Sequence, residues 1–354
     1  MHSVNKFIAL REIFVSAVTF FVMPSVITTE ENESDQVPMI DLSFLRNGLG
    51  HNAEELMLAK VKKACQEWGC FLVVNHGIEE NIITQMDSAT RETFKVSREN
   101  KEKIQGEFGY IPSMPALPFL EILPVNGAPE PHAIQKFAQE LWPQGNPKIC
   151  KIIEAYTCRI EELTNDIIKV IFKSFGVSKY YESQKFWGLL RMNYCDVPEE
   201  ARGGLGSHTD HNLITVIYQD NNGGLELKNK AGKWVALKAP YNSFVVLTGD
   251  SIKAWSNGRI HSGIHRVLIT SKSQRVSVPY FSFFPDETII EAPPEFVDNK
   301  HSRLYKPFPY GKYKAYCKAI KRARCEIGDL FEGETDEAFL ENFLASSTPQ
   351  LCNF

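Results

Sequence analysis

The second half of the chain limits the fold more than any other feature. From Tyr180 onward, short β-rich runs alternate with turn signals. The runs are 189–195, 213–219, 224–228, 233–237, 243–247, 253–255, 264–269 and 276–284, with turns at Asn221-Asn222-Gly223, Ala231-Gly232 and Asn257-Gly258. About eight strands at this spacing predict an all-β jelly-roll barrel or sandwich.

The first half reads differently. Residues 54–68 predict an amphipathic helix, with Leu56, Ala59, Val61, Ala64 and Cys65 near one face and Gly69 as its stop. A buried strand over 70–74 ends at Asn75-His76-Gly77, and a second helix follows over 80–96. The clearest helix is 147–175, where Ile149, Ile153, Tyr156, Ile160, Leu163, Ile167 and Ile171 recur every three or four residues. It is expected to be a scaffold packed on the sheet. Between 106 and 131, Pro, Gly and isolated aromatics replace any period, which suggests a functional loop such as a lid. A helical tail is expected over 312–344. The chain is therefore mainly β with flanking helices. It divides into an extension (1–36), an N-terminal region with a lid-like loop (37–130), a scaffold helix (131–180), the jelly-roll core (181–290) and a C-terminal helical region (291–354).

Composition excludes several classes. With 43% hydrophobic and 23% charged residues and a net charge of −4, no global field favours nucleic acid or an anionic membrane. The eight cysteines form no CxxC pair and no compact framework, which fits a reducing compartment and a cytoplasmic location. Residues 13–27 carry no charge and follow Lys6 and Arg11, like the start of a signal peptide, so targeting stays open. That stretch is shorter than the roughly 20 apolar residues of a membrane span and contains Pro24. A dispensable extension is the expectation.

The chemistry concentrates in three places. His208-Thr209-Asp210 sets two metal-competent side chains at i and i+2, which share a face on extended chain. His265 follows 55 positions after Asp210. Two histidines and a carboxylate form the facial triad of non-haem iron(II) oxygenases, although a zinc hydrolase could use the same set. Arg275-Val276-Ser277 lies ten residues after His265 and puts a guanidinium fork and a hydroxyl on one strand face. That pair suits the far carboxylate of a dicarboxylate whose other end sits on the metal. His211 should point away from the metal, and His76 should stabilise a turn. Arg275, Ser277, Pro279, Phe281 and Phe283 alternate onto one face, so Phe281 and Phe283 are expected to line a substrate cavity, with Tyr110 and Phe119 contributed by the loop.

These residues sit within a wider pattern. Trp68-Gly69-Cys70-Phe71, Val74-Asn75-His76-Gly77, 189–194, His208-Thr209-Asp210 with Ile214-Thr215, Gly224-Leu225, Gly249-Asp250, Ser256-Asn257-Gly258, His265-Arg266-Val267 and Arg275-Val276-Ser277 resemble the plant 2-oxoglutarate-dependent dioxygenases in motif and order. The likeness runs from about Val37 to Leu344. Gly232-Lys233-Trp234, Asp250-Ser251 and the run from Asn257 to Ser262 look most like the alkenyl- and hydroxyalkyl-producing dioxygenases of glucosinolate metabolism.

The resemblance implies a double-stranded β-helix core. It implies Fe(2+) on His208, Asp210 and His265, and 2-oxoglutarate on Arg275 and Ser277 with Asn193 as a further contact. O2 would be the co-oxidant and ascorbate a stimulant, with succinate and CO2 released. A small apolar molecule of specialised metabolism would be hydroxylated, demethylated or desaturated by a monomer needing no nucleic acid or membrane. The alternatives are an iron oxidase that does without 2-oxoglutarate and a non-catalytic binder. One position departs from the family pattern: Cys195 stands where a tyrosine usually reaches the co-substrate, and a thiol is a weak donor.

Overall fold

The computed structural model describes residues 36–345 apart from 49, 107, 116, 271–272 and 328–338. The apolar stretch 13–27 lies outside the described residues. Thirteen strands are present: β1 Met39–Asp41, β2 Cys70–Val74, β3 Leu120–Val125, β4 Trp187–Val197, β5 Arg202–His208, β6 Ile214–Gln219, β7 Leu225–Lys228, β8 Trp234–Ala236, β9 Phe244–Thr248, β10 His265–Thr270, β11 Ser273–Phe283, β12 Ile289–Ile290 and β13 Phe308–Pro309. The helices are α1 Phe44–Asn47, α2 His51–Glu67, α3 Glu80–Phe94, α4 Arg98–Lys101, α5 Pro131–Leu141, α6 Pro147–Ser174, α7 Lys179–Ser183, α8 Asp250–Trp255, α9 Tyr310–Ile327 and α10 Phe339–Ala345.

The pairing of β4 to β11 is nested. Strand β4 pairs β11, β5 pairs β10, β6 pairs β9 and β7 pairs β8, all antiparallel. A hairpin folded back on itself in this way is a jelly roll, and it forms two sheets instead of a closed barrel. The larger sheet runs β1-β2-β9-β6-β11-β4-β3 and the smaller β5-β10-β7-β8. Strands β1, β2 and β3 extend the larger sheet at both edges, so the region 37–130 is built into the same sheet. No helix among the described residues is long and apolar enough to cross a membrane.

The long helix forms where its 3.6-residue period predicts. Asn146 caps α6 through the amide of Ile149, Pro147 opens it, and Ile149, Ile153, Tyr156, Ile160, Ile167 and Ile171 are buried. It packs beneath β11, where the Tyr280 hydroxyl donates to Glu161 at 3.0 Å.

Three expectations fail locally. Residues 253–255 belong to helix α8, because Ser251, Ile252, Ala254 and Trp255 are all buried and no face is left polar for a half-exposed strand. Strand β5 has no alternation to reveal it: Gly204, at φ +135°, lets it run against the Val267 carbonyl, which a Cβ there would meet at 2.1 Å. Strand β3 lies inside the stretch expected to be irregular, carrying Pro124 within a run that is buried but for Glu121.

Candidate active site

The two sheets bring the predicted metal and co-substrate residues together at one cavity of about 220 Å³. His208 ends β5 and stands directly across from His265, the first residue of β10. Their rings lie 4.2 Å apart, and His208 Nε2 is 3.9 Å from Asp210 Oδ1. Among the described residues, these three form the group whose ligand atoms all lie within 4.8 Å of one another. All three are at least nine-tenths buried.

The surroundings fix the orientation of each donor. His208 Nδ1 lies 2.8 Å from the Gly206 carbonyl and His265 Nδ1 2.9 Å from that of Gly263. A carbonyl only accepts, so each Nδ1 carries the proton and each Nε2 keeps its lone pair for the site. Thr215 donates to Asp210 Oδ2 at 2.5 Å, and Oδ1 is the oxygen that faces His208. Behind them, the buried Asp250 accepts from Thr209 at 2.9 Å and from Tyr313 of α9 at 2.7 Å, and its amide donates to the Asp210 carbonyl at 2.7 Å. Gly249 makes this approach possible, since a Cβ there would meet the Asn212 carbonyl at 2.2 Å. Burial pushes the Asp250 carboxyl above the usual range, while its hydroxyl donors pull it back.

The second group lies in rows across the larger sheet. Arg275 stands opposite Cys195, and Ser277 stands between Asn193 on β4 and Gln219 on β6. The buried Arg275 donates to the Gly223 carbonyl, to Ser277 Oγ at 2.9 Å and to Gln219 Oε1 at 3.0 Å. Asn193 reaches Ser277 Oγ at 3.4 Å, and its own buried Oδ1 has no partner. Burial pulls the Arg275 pKa down, and Asp220 opposes that shift. Much of the remaining wall is apolar, from Ile111, Leu117, Ile122, Ile217, Val267 and Phe281, and Arg191 lines it as well.

Comparison with known proteins gives the lineage. Residues 186–283 match the 2OG-Fe(II) oxygenase superfamily, and residues 37–113 match the N-terminal region of the non-haem dioxygenase in morphine synthesis. The chain is 33% identical over 289 residues to AOP1, a probable 2-oxoglutarate-dependent dioxygenase of Arabidopsis thaliana, covering 78% of this chain and 95% of the relative. The chain belongs to the 2-oxoglutarate/iron(II)-dependent dioxygenase family.

Other dioxygenases of the family agree. The 2-oxoglutarate-dependent dioxygenase DAO of Oryza sativa is 34% identical over 79% of this chain and 93% of its own length. The crystal structure of the rice dioxygenase for auxin oxidation superposes with a TM-score of 0.71 at 30% identity, covering 86% of this chain and 99% of that one. The corresponding Arabidopsis dioxygenase, in binary complex with 2-oxoglutarate, gives 0.68 at 27% identity over 76% and 100%. The protein is thus a dioxygenase that uses iron(II), 2-oxoglutarate and O2. Its donor set fits that metal: two neutral imidazoles and a carboxylate with open positions.

The structure brings His208, Asp210, His265, Arg275, Ser277, Asn193 and Phe281 to the cavity and places the other candidates elsewhere. His211 turns away from the triad toward Phe283 and Tyr310. His76 holds a turn, accepting from the Ile78 amide and lying 3.1 Å from the Asn242 carbonyl. Phe281 lines the cavity, but Phe283 does not. It is 1% exposed and stacks on Trp187 at 4.4 Å, because β11 runs on past the end of the cavity into the core. Tyr110 is drawn off to Glu121, and Phe119 packs on the outer Leu117–Leu120 cluster, so Ile111 and Leu117 represent the loop instead. Arg191, Thr215 and Gln219 were not anticipated. Arg191 precedes Asn193 by two on the same strand, and the alternation that places one places the other.

Proposed function

We propose that this dioxygenase oxidises a small, largely apolar molecule of plant specialised or hormone metabolism at a C–H bond held beside the metal. Cavity continuity carries the proposal: the triad, the Arg275–Ser277 pair and an apolar wall share one space of about 220 Å³. That space, which also takes 2-oxoglutarate, is below the roughly 300–1,000 Å³ of ordinary ligand pockets, so the part of the substrate held inside it is compact.

In this reading His208, Asp210 and His265 hold iron(II), which together with 2-oxoglutarate and O2 supplies the oxidising power while succinate and CO2 leave. Arg275 and Ser277 donate to the far carboxylate of 2-oxoglutarate, with Gln219 and the Gly223 carbonyl keeping the guanidinium in place. Asn193 completes that end. Phe281 and the aliphatic wall exclude water and orient the substrate; whether hydroxylation, demethylation or desaturation results depends on which of its bonds faces the metal. The relatives support a plant metabolite, since two of the similar solved structures are dioxygenases for auxin oxidation. Succinate release measured with iron(II), ascorbate and a panel of plant metabolites tests the proposal. Substrate-dependent succinate is expected from apolar members of the panel. Succinate released in response to none of them, or only to highly polar members, overturns it.

A further inference from the structure

A second cationic side chain enters the cavity, and the proposed function leaves it without a task. Arg191 lies on β4 beside Pro124 of β3, two residues from Asn193, and its guanidinium carbon sits 5.0 Å above the Phe281 ring. Its Nε is buried and has no hydrogen-bond partner. Burial pulls its pKa down to about 10, so it is charged at neutral pH. A buried, charged donor without an acceptor is costly and calls for a ligand.

In the proposed function Arg275, Ser277 and Asn193 take the far carboxylate of 2-oxoglutarate, which leaves Arg191 outside that end of the co-substrate. Cys195 faces Arg275 in register, and Arg191 is four residues further along β4, roughly 14 Å at the usual strand rise. The co-substrate has five carbons, and at about 1.5 Å per bond its backbone is under about 6 Å long. Charge points the same way. Iron(II), Asp210, Arg275 and doubly anionic 2-oxoglutarate sum to zero among the groups that line the cavity. Arg191 adds one positive charge to that set, and Asp210 is the acidic group that acts on it.

We infer that Arg191 is a specificity residue that binds the carboxylate of the substrate, and that the substrate is a small monocarboxylic acid whose apolar body packs on Phe281 and the aliphatic wall. The inference rests on the proposed function and narrows its substrate class. The guanidinium fork matches a carboxylate with two parallel hydrogen bonds, and Phe281 beneath it holds the fork flat.

The test is binding, measured by calorimetry on the anaerobic protein loaded with iron(II) and 2-oxoglutarate. The probes are small aryl and alkyl monocarboxylates, phenylacetate and 3-phenylpropionate among them, each beside its methyl ester. The best acid is expected to bind at least tenfold tighter than its ester. Arg191→Met should erase that preference, and Arg191→Lys should restore part of it. 2-Oxoglutarate affinity in both variants should stay within about twofold of the wild type, which also certifies their fold. If no acid is preferred over its ester, or if Arg191→Met keeps the preference, the inference is overturned. A loss of 2-oxoglutarate affinity in both variants would assign Arg191 to the co-substrate instead. Failure of the wild-type protein to bind iron(II) and 2-oxoglutarate at all would strike the proposed function, a result separable from these.

Discussion

Two backbone carbonyls, those of Gly206 and Gly263, determine which nitrogen His208 and His265 turn toward each other. The residue scale is therefore governed by small fixed partners, and the co-substrate end follows the same rule. Arg275 is held by Gly223, Gln219 and Ser277, so its fork is in place before any ligand arrives. Arg275→Ala should weaken 2-oxoglutarate by about 2–5 kcal/mol, the usual loss when one side of a buried charge pair is removed. A titration of 2-oxoglutarate into the variant checks this. Cys195 faces Arg275, and burial pushes its thiol up to about 11, so it stays a neutral, weak donor. Cys195→Tyr should leave 2-oxoglutarate affinity unchanged or raise it, and a weakened affinity would show that the cavity cannot admit the ring. The His-x-Asp pair, His265 and the Arg-x-Ser pair were legible in the sequence because each is a short-range pattern with a chemical reason. Arg191 followed the same alternation but has no partner in the sequence to mark it, so only the cavity reveals its role.

At the scale of elements, β11 links co-substrate, cavity and core in one strand. Phe281 and Phe283 are two residues apart and were expected to behave alike, yet they meet different surroundings. Phe283 is stacked on Trp187 with Phe108 beside it, and Phe283→Ala should cost about 3–5 kcal/mol in a denaturant melt. Phe281→Ala should cost clearly less stability while altering which probes bind; equal damage from the two substitutions would place both in the core. Helix α9 reaches the site through Tyr313, whose hydroxyl donates to the buried Asp250. Removing a hydrogen bond to a buried charged group costs about 1.5–3 kcal/mol. Tyr313→Phe is therefore expected to lower stability by that amount and to loosen iron retention, since Asp250 anchors the Asp210 backbone. Unchanged iron retention would mean that Asp250 holds Asp210 without help from Tyr313. Periodicity made α2, α3, α6 and most of the strands legible. It could not reveal β5, which is glycine-rich, or the helical state of 253–255, where burial on every side hides the period.

Across the described residues, one extended sheet has a second sheet folded over it, and the first half of the chain serves as support. Arg91 of α3 binds Asp220 at 2.6 Å and Asp87 at 2.8 Å, and Asp220 also accepts from the Val276 amide at 2.8 Å, beside Arg275. The support thus reaches the co-substrate end directly. The first described strand, β1, pairs with β2 from Met39 onward. A protein lacking residues 1–35 should accordingly fold and bind iron as the full chain does, and lost iron in that truncation would show that the segment belongs to the fold. The central claim is that one cavity holds the metal on His208, Asp210 and His265 and the co-substrate on Arg275. Anaerobic equilibrium dialysis of iron(II) and 2-oxoglutarate against the wild type, Asp210→Ala and Arg275→Ala tests it most directly. The account predicts one iron and one 2-oxoglutarate per chain in the wild type, neither in Asp210→Ala, and iron without tightly bound 2-oxoglutarate in Arg275→Ala. Iron retained at full occupancy in Asp210→Ala, or wild-type affinity for 2-oxoglutarate in Arg275→Ala, would contradict it.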